Sequence, residues 1–200
     1  MKRNAVDKTL AILAVSMVLI TTSQSVAAIT IDFESFPIMG GFIPTYTEQG
    51  VTFSASGGGG GLWASEGPNG TLGLLDMCSP KKELRADISL GASSVSVDLG
   101  DYNVDSDLIF LEIFDSADNL IDYTDMVISE TFVGMETLTL SAPNIAYAVF
   151  GARNPGKGST VYADNFTFEQ MPEVIPSPGA ILLGSIGVCI VGWLRRRNTL

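Results

Sequence analysis

Between Ile29 and Gln170 apolar residues alternate with polar ones in a series of short runs, and nowhere do they follow a sustained helical period. That restricts this stretch to strands. Ile29, Ile31 and Phe33 alternate with Thr30, Asp32 and Glu34, the pattern of a half-buried strand. Gly50–Ser54 repeats it, and the glycine run Gly57–Gly61 costs too much backbone entropy to be anything but a loop. Further strands are expected at Leu72–Met77, Ser93–Leu99, Leu108–Phe114, Leu120–Ile128, Thr137–Leu140, Ile145–Phe150 and Val161–Phe168. Asp115–Asn119 is built of residues that bond their own backbone, so it is a turn. Short strands spaced by about 8 to 12 residues with polar turns predict an all-β fold, a single jelly-roll-like β-sandwich of nine or ten strands.

The two ends of the 200-residue chain have a different character. Lys2, Arg3 and Lys8 precede the apolar run Leu10–Ile20, which gives way to polar and then small residues through Ala28. This is the order of a secretory signal peptide, residues 1–28, cleaved before Ile29 or one residue earlier. At the other end a proline-rich linker, residues 171–178, leads into an uncharged run of 16 residues, Gly179–Leu194, and then Arg195, Arg196 and Arg197. As a helix that run spans about 24 Å, slightly under the roughly 20 residues that cross a bilayer comfortably. Trp193 at the interface and snorkelling arginines close part of the gap. A transmembrane helix and basic tail are therefore expected over 179–200, with the arginines inside and the strand body, 29–170, outside.

The three-part arrangement of Pro176-Ser177-Pro178, the apolar run and Arg195–Arg197 resembles the PEP-CTERM sorting tail of bacterial exported proteins. The resemblance covers the last 25 or so residues. It implies recognition by exosortase, a membrane protease-transpeptidase, and release to the cell surface or extracellular matrix. Ser177 stands where the family pattern has glutamate, and the acidic alternative Pro172-Glu173 lies just upstream. That departure leaves open whether the tail is processed or stays as an ordinary membrane anchor.

The strand body holds 20 acidic side chains and 5 basic ones, a net charge near −15. Such a surface repels nucleic acid and anionic headgroups and suits either a medium rich in divalent cations or a plain solvated acidic face. The sequence has no histidine, which removes imidazole catalysis and the commonest zinc ligand. Cys78 is the body's lone cysteine, a small hydrophobe or an intermolecular link.

The segments Ile31–Glu34, Gly50–Phe53 and Tyr162–Phe166 are similar to those of jelly-roll modules that precede such sorting tails, and in layout to carbohydrate-binding sandwiches. In such folds the first and last strands are neighbours and a structural calcium often sits near them; the resemblance makes Glu34 and Asp164 the matching acids. Independently, Asp101, Asn103, Asp105, Asp107 and Glu112 place oxygen donors at relative positions 1, 3, 5, 7 and 12, close to a calcium-loop spacing. Ser106 occupies the glycine position and Leu108–Phe114 reads as a strand. Asp101–Asp107 is thus an acidic inter-strand loop, calcium-holding or merely solvated, with Glu112 carried away from it. For a sugar ligand the aromatic candidates are Trp63, which follows the glycine loop, and Tyr102, with Tyr46 and Tyr123 behind them; Trp63 equally suits a core position. No nucleophile elbow, phosphate loop or metal-hydrolase motif is present. The reading is a non-catalytic, exported β-sandwich that binds extracellular polysaccharide. A structural surface protein and a glycan hydrolase working through paired carboxylates are the alternatives.

Overall fold

The computed structural model describes residues 27–37, 41–57, 60–76, 83–102, 105–153 and 161–171, with Gly187. Nearly all of the expected signal peptide, the sorting motif Pro176-Ser177-Pro178, the expected membrane run Gly179–Leu194 apart from Gly187, the arginine cluster, Cys78 and Asn103 lie outside the described residues. Among the described residues no helix is long and apolar enough to cross a membrane.

Among the described residues ten strands make up the body: β1 Ala28–Ile31, β2 Thr45–Glu48, β3 Val51–Ala55, β4 Leu62–Glu66, β5 Leu72–Asp76, β6 Glu83–Tyr102, β7 Asp107–Phe114, β8 Leu120–Ile128, β9 Val133–Ala152 and β10 Tyr162–Gln170. All pairing is antiparallel, in the order β4-β5-β10-β6-β9-β7-β8, with β1 on β10, β2 on β3 and β3 on β6. First and last strands are indeed neighbours, Ile29 opposite Phe168.

The two longest strands explain the shape. β6 and β9 have 20 residues each, and their mutual register shifts between Asp87 and Ser94. Gly91 supplies a positive φ of 70° and Asn144 one of 62° at this point, where an ordinary residue would resist the bend. Beyond it each strand continues among different neighbours. The first part of β6 and the last part of β9 join β2, β3, β7 and β8 in layer A; the remaining parts join β1, β4, β5 and β10 in layer B. Phe53 of layer A meets Phe166 of layer B edge-on at 5.2 Å, and Phe150 meets the same ring at 5.7 Å. The layers therefore face each other across one core, which Leu84, Ala86, Ile109, Leu111 and Ile113 enter from one side and Val95, Val97, Leu99 and Phe168 from the other. Alternation places these residues inward and leaves the intervening ones on two outer faces.

β7, β8 and the Asp115 turn fall where the alternation predicts, and Asp115 accepts from the backbone of Ala117 and Asn119 at 2.8 and 2.9 Å. Elsewhere boundaries differ. Ser93–Leu99 is the middle of a longer strand, Thr137–Leu140 and Ile145–Phe150 are one strand, and β2 and β4 were not foreseen. Phe33 keeps the alternation in burial but lies beyond β1, at φ 57°. Its ring is fully buried against Phe53 at 5.0 Å, and that packing holds a conformation phenylalanine normally avoids.

Candidate functional site

The acidic loop joins β6 to β7 at one tip of the sandwich. Asp101 is the last but one residue of β6, on its inward side, Asp107 opens β7, and both are nearly inaccessible. Asp101, Asp105 and Asp107 each offer a carboxylate oxygen, all within 4.8 Å of one another. The backbone N–H of Tyr102 donates to Asp101 Oδ1 at 2.7 Å, and Ser106 Oγ donates to the Ile128 carbonyl at 3.0 Å, seating the loop on β8. Gly100, just before the cluster, lies so close to β9 that a Cβ there would stand 1.8 Å from the Gly134 carbonyl oxygen. Chemically, three hard oxygen donors at this spacing suit a divalent cation such as calcium. Glu112 is elsewhere, as its strand position requires, bonded to Arg153 at 2.8 Å.

Glu34 and Asp164 are not brought to this cluster. Both hold the turn between β4 and β5. Glu34 Oε1 accepts the Leu72 N–H at 2.8 Å, while buried Asp164 Oδ2 accepts from Thr71 Oγ1 at 2.6 Å and Asn69 Nδ2 at 2.8 Å. Charge-assisted bonds of this kind tie a turn firmly to the strand beneath it.

The outer face of layer B carries the aromatic candidates. Trp63 is outward on β4 between buried Leu62 and Ala64, partly exposed, with its ring 4.8 Å from that of exposed Phe42. Trp63 is therefore not a core residue. Tyr102 is 43% exposed and meets Tyr162 edge-on at 5.4 Å, its hydroxyl donating to the Glu66 carbonyl at 2.9 Å. Partial burial, with Tyr162 and Glu66 nearby, raises its pKa above the usual phenol value. Tyr162 lies over Gly73 of β5, where a Cβ would come within 3.0 Å of the ring. Tyr46 is instead a core residue, bonded to Ser35 and Glu48, so it presents no face to a ligand. Burial, reinforced by Glu48, pushes its phenol up to about 12.

The outer face of layer A holds a second arrangement that reading the sequence for acids and exposed rings had missed. Phe114 and Tyr147 stack at 4.7 Å with planes 6° apart. The Arg85 guanidinium lies 3.6 Å from the centre of the Tyr147 ring, and that of Arg153 lies 3.8 Å from the centre of Phe110. Arg85 is forked onto Asp87 at 2.6 to 3.0 Å, Arg153 reaches Glu112 and Glu83, and the Tyr147 hydroxyl donates to Asp118 at 3.0 Å. Period-two spacing of Glu83, Arg85 and Asp87 on one strand, with Phe110, Glu112 and Phe114 on another, is the signal that was available.

No family model and no curated protein matches the chain. Solved structures do. The K1 cleaved adhesin domain of Lys-gingipain from Porphyromonas gingivalis aligns with 72% of this chain and 99% of its own, at 10% identity and a TM-score of 0.46. A family 29 carbohydrate-binding module from Piromyces equi aligns with 74% of this chain and 93% of its own, at 6% identity and a TM-score of 0.45. An exo-β-agarase aligns with 74% of this chain but 25% of its own, at 14% identity and a TM-score of 0.45. What the chain is similar to is a set of β-sandwich adhesin and carbohydrate-binding modules, together with part of a larger enzyme.

Proposed function

We propose that this is an exported, non-catalytic β-sandwich of a bacterial surface or extracellular matrix, which binds polysaccharide on the outer face of layer B and holds calcium at the adjoining tip. Its C-terminal segment delivers it as a sorting tail, with an exosortase-type membrane protease as its partner. The observation that supports this reading is a juxtaposition. Tyr102, an exposed ring, directly follows Asp101 of the three-carboxylate group. A flat ring offers an apolar face to a pyranose, and a nearby cation fixes the loop that carries it and accepts sugar hydroxyls. Trp63 and Phe42 extend the apolar surface along β4.

The test is binding of soluble polysaccharides to the full chain, with and without calcium. Binding that falls about tenfold on Trp63→Ala or Tyr102→Ala, a loss of about 1.4 kcal/mol, supports the reading. Turnover of a polysaccharide, abolished by one carboxylate-to-amide change, would replace it with a hydrolase. For the tail, the test is the mature terminus: an uncut tail in cells that contain an exosortase would remove the sorting role.

A further inference from the structure

We infer that the outer face of layer A is a second saccharide-binding face, built for a neutral polysaccharide; the inference rests on the glycan-binding reading above and adds a separate site to it. In a body with a net charge near −15, the two arginines among the described residues, Arg85 and Arg153, both stand on this one face. Each is locked twice, by a ring beneath it and by carboxylates beside it. Their side chains are still 34% and 43% exposed, within reach of a ligand. Strand register sets the groups in cross-strand rows: Arg85, Val149, Glu112 and Tyr123 form one, and Asp87, Tyr147 and Phe114 the next.

The charges choose the ligand class. An anionic chain would meet Glu83, Asp87, Glu112 and Asp118 around the two guanidinium groups, and a cationic one would meet the arginines. A neutral polyol meets a donor and an acceptor side by side, the pairing that adjacent hydroxyls require, since each hydroxyl both gives and takes a hydrogen bond. The rings of Tyr147 and Phe110 are already covered by arginine, so stacking falls to Tyr123. It is 59% exposed and directly opposite Glu112. Because the planar groups are already fixed, little side-chain freedom is lost on binding.

The experiment measures binding of the full chain to laminarin, galactomannan and xyloglucan, with alginate as the anionic comparison. The variants are Tyr123→Ala, Glu112→Gln and, on the other face, Trp63→Ala. The expected result is binding to at least one neutral polymer, weakened about tenfold by Tyr123→Ala, where no core contact is lost, and again by Glu112→Gln. Neutral-polymer binding that Trp63→Ala alone weakens would overturn this site and leave the glycan reading standing. Binding to alginate alone would also overturn it. A wild-type chain that binds none of the four polymers would remove both.

Discussion

On the outer face of layer A, Glu83 and Glu112 face Arg153, and Asp87 grips Arg85. At the tip of the sandwich Asp101, Asp105 and Asp107 face one another. Both regions are acidic, and the chain treats them differently. The first carries its counter-charges on its own strands, so its geometry follows from folding alone. The second sets three carboxylate oxygens within 4.8 Å of one another, the donor type and spacing that suit a divalent cation. An ion-paired face should therefore be indifferent to the metal content of the medium, and the tip should not.

The largest expected effect breaks the tip without touching the face. Gly100→Ala drives a methyl group to within 1.8 Å of the Gly134 carbonyl oxygen and 2.7 Å of the Met135 sulfur. Backbone cannot yield as a side-chain end does, so a loss of about 3 kcal/mol is expected. Denaturant unfolding measures it. Retained stability would show that β6 and β9 separate here at little cost.

Next comes the cation itself. On the proposal that the tip holds calcium, the ion at about 100 times its dissociation constant should add about 2.7 kcal/mol to the folded state. Melting of the full chain with calcium against chelator reads this directly, and Asp105→Asn should abolish the difference while Arg153→Ala preserves it. An unchanged melting temperature would take the metal out of the tip, and equal shifts in both variants would erase the contrast between the two regions.

Much of this layout was legible beforehand, for a physical reason. Alternation reports which side of a strand is wet, so Leu108–Phe114, Leu120–Ile128 and the Asp115 turn were readable residue by residue. Alternation does not report which strands are neighbours. Arg85 and Arg153 stand far apart in sequence, and only the pairing of β6 with β9 and of β9 with β7 puts them on one surface. The same limit separated Asp164 from its role: its partners Asn69 and Thr71 come from a turn about ninety residues earlier. The Asp101, Asp105 and Asp107 group was visible because its carboxylates are close together in the chain. Continuous β6 and β9 were hidden because Gly91 and Asn144 look like turn residues, whereas here they bend strands that carry on.

A smaller effect is expected on the ion-paired face. Arg153→Ala removes the cover over Phe110 and the contacts to Glu112 and Glu83. The side chain is 43% exposed, so screening limits the loss to about 1 kcal/mol. Part of it should fade with added salt, as ion pairs do. A loss of several kcal/mol would mean that Arg153 acts as a core residue instead.

The smallest effect compares the two regions through their phenols. Tyr102 and Tyr147 both titrate above the ordinary value of 10.0, each chiefly through burial. For Tyr147 the hydrogen bond and charge of Asp118 push further up, while the Arg85 cation pulls back down. A raised phenol favours the protonated, folded state, so this stabilisation is complete below pH 10 and is lost as pH rises through the folded value. Arg85→Gln removes the downward pull on Tyr147 alone. Its titration, followed by phenolate absorbance, should move to higher pH while that of Tyr102 stays in place, because Arg85 belongs to the other face. If both tyrosines moved together, the two faces would share one electrostatic environment, and the ion-paired face could no longer be treated as independent of the tip.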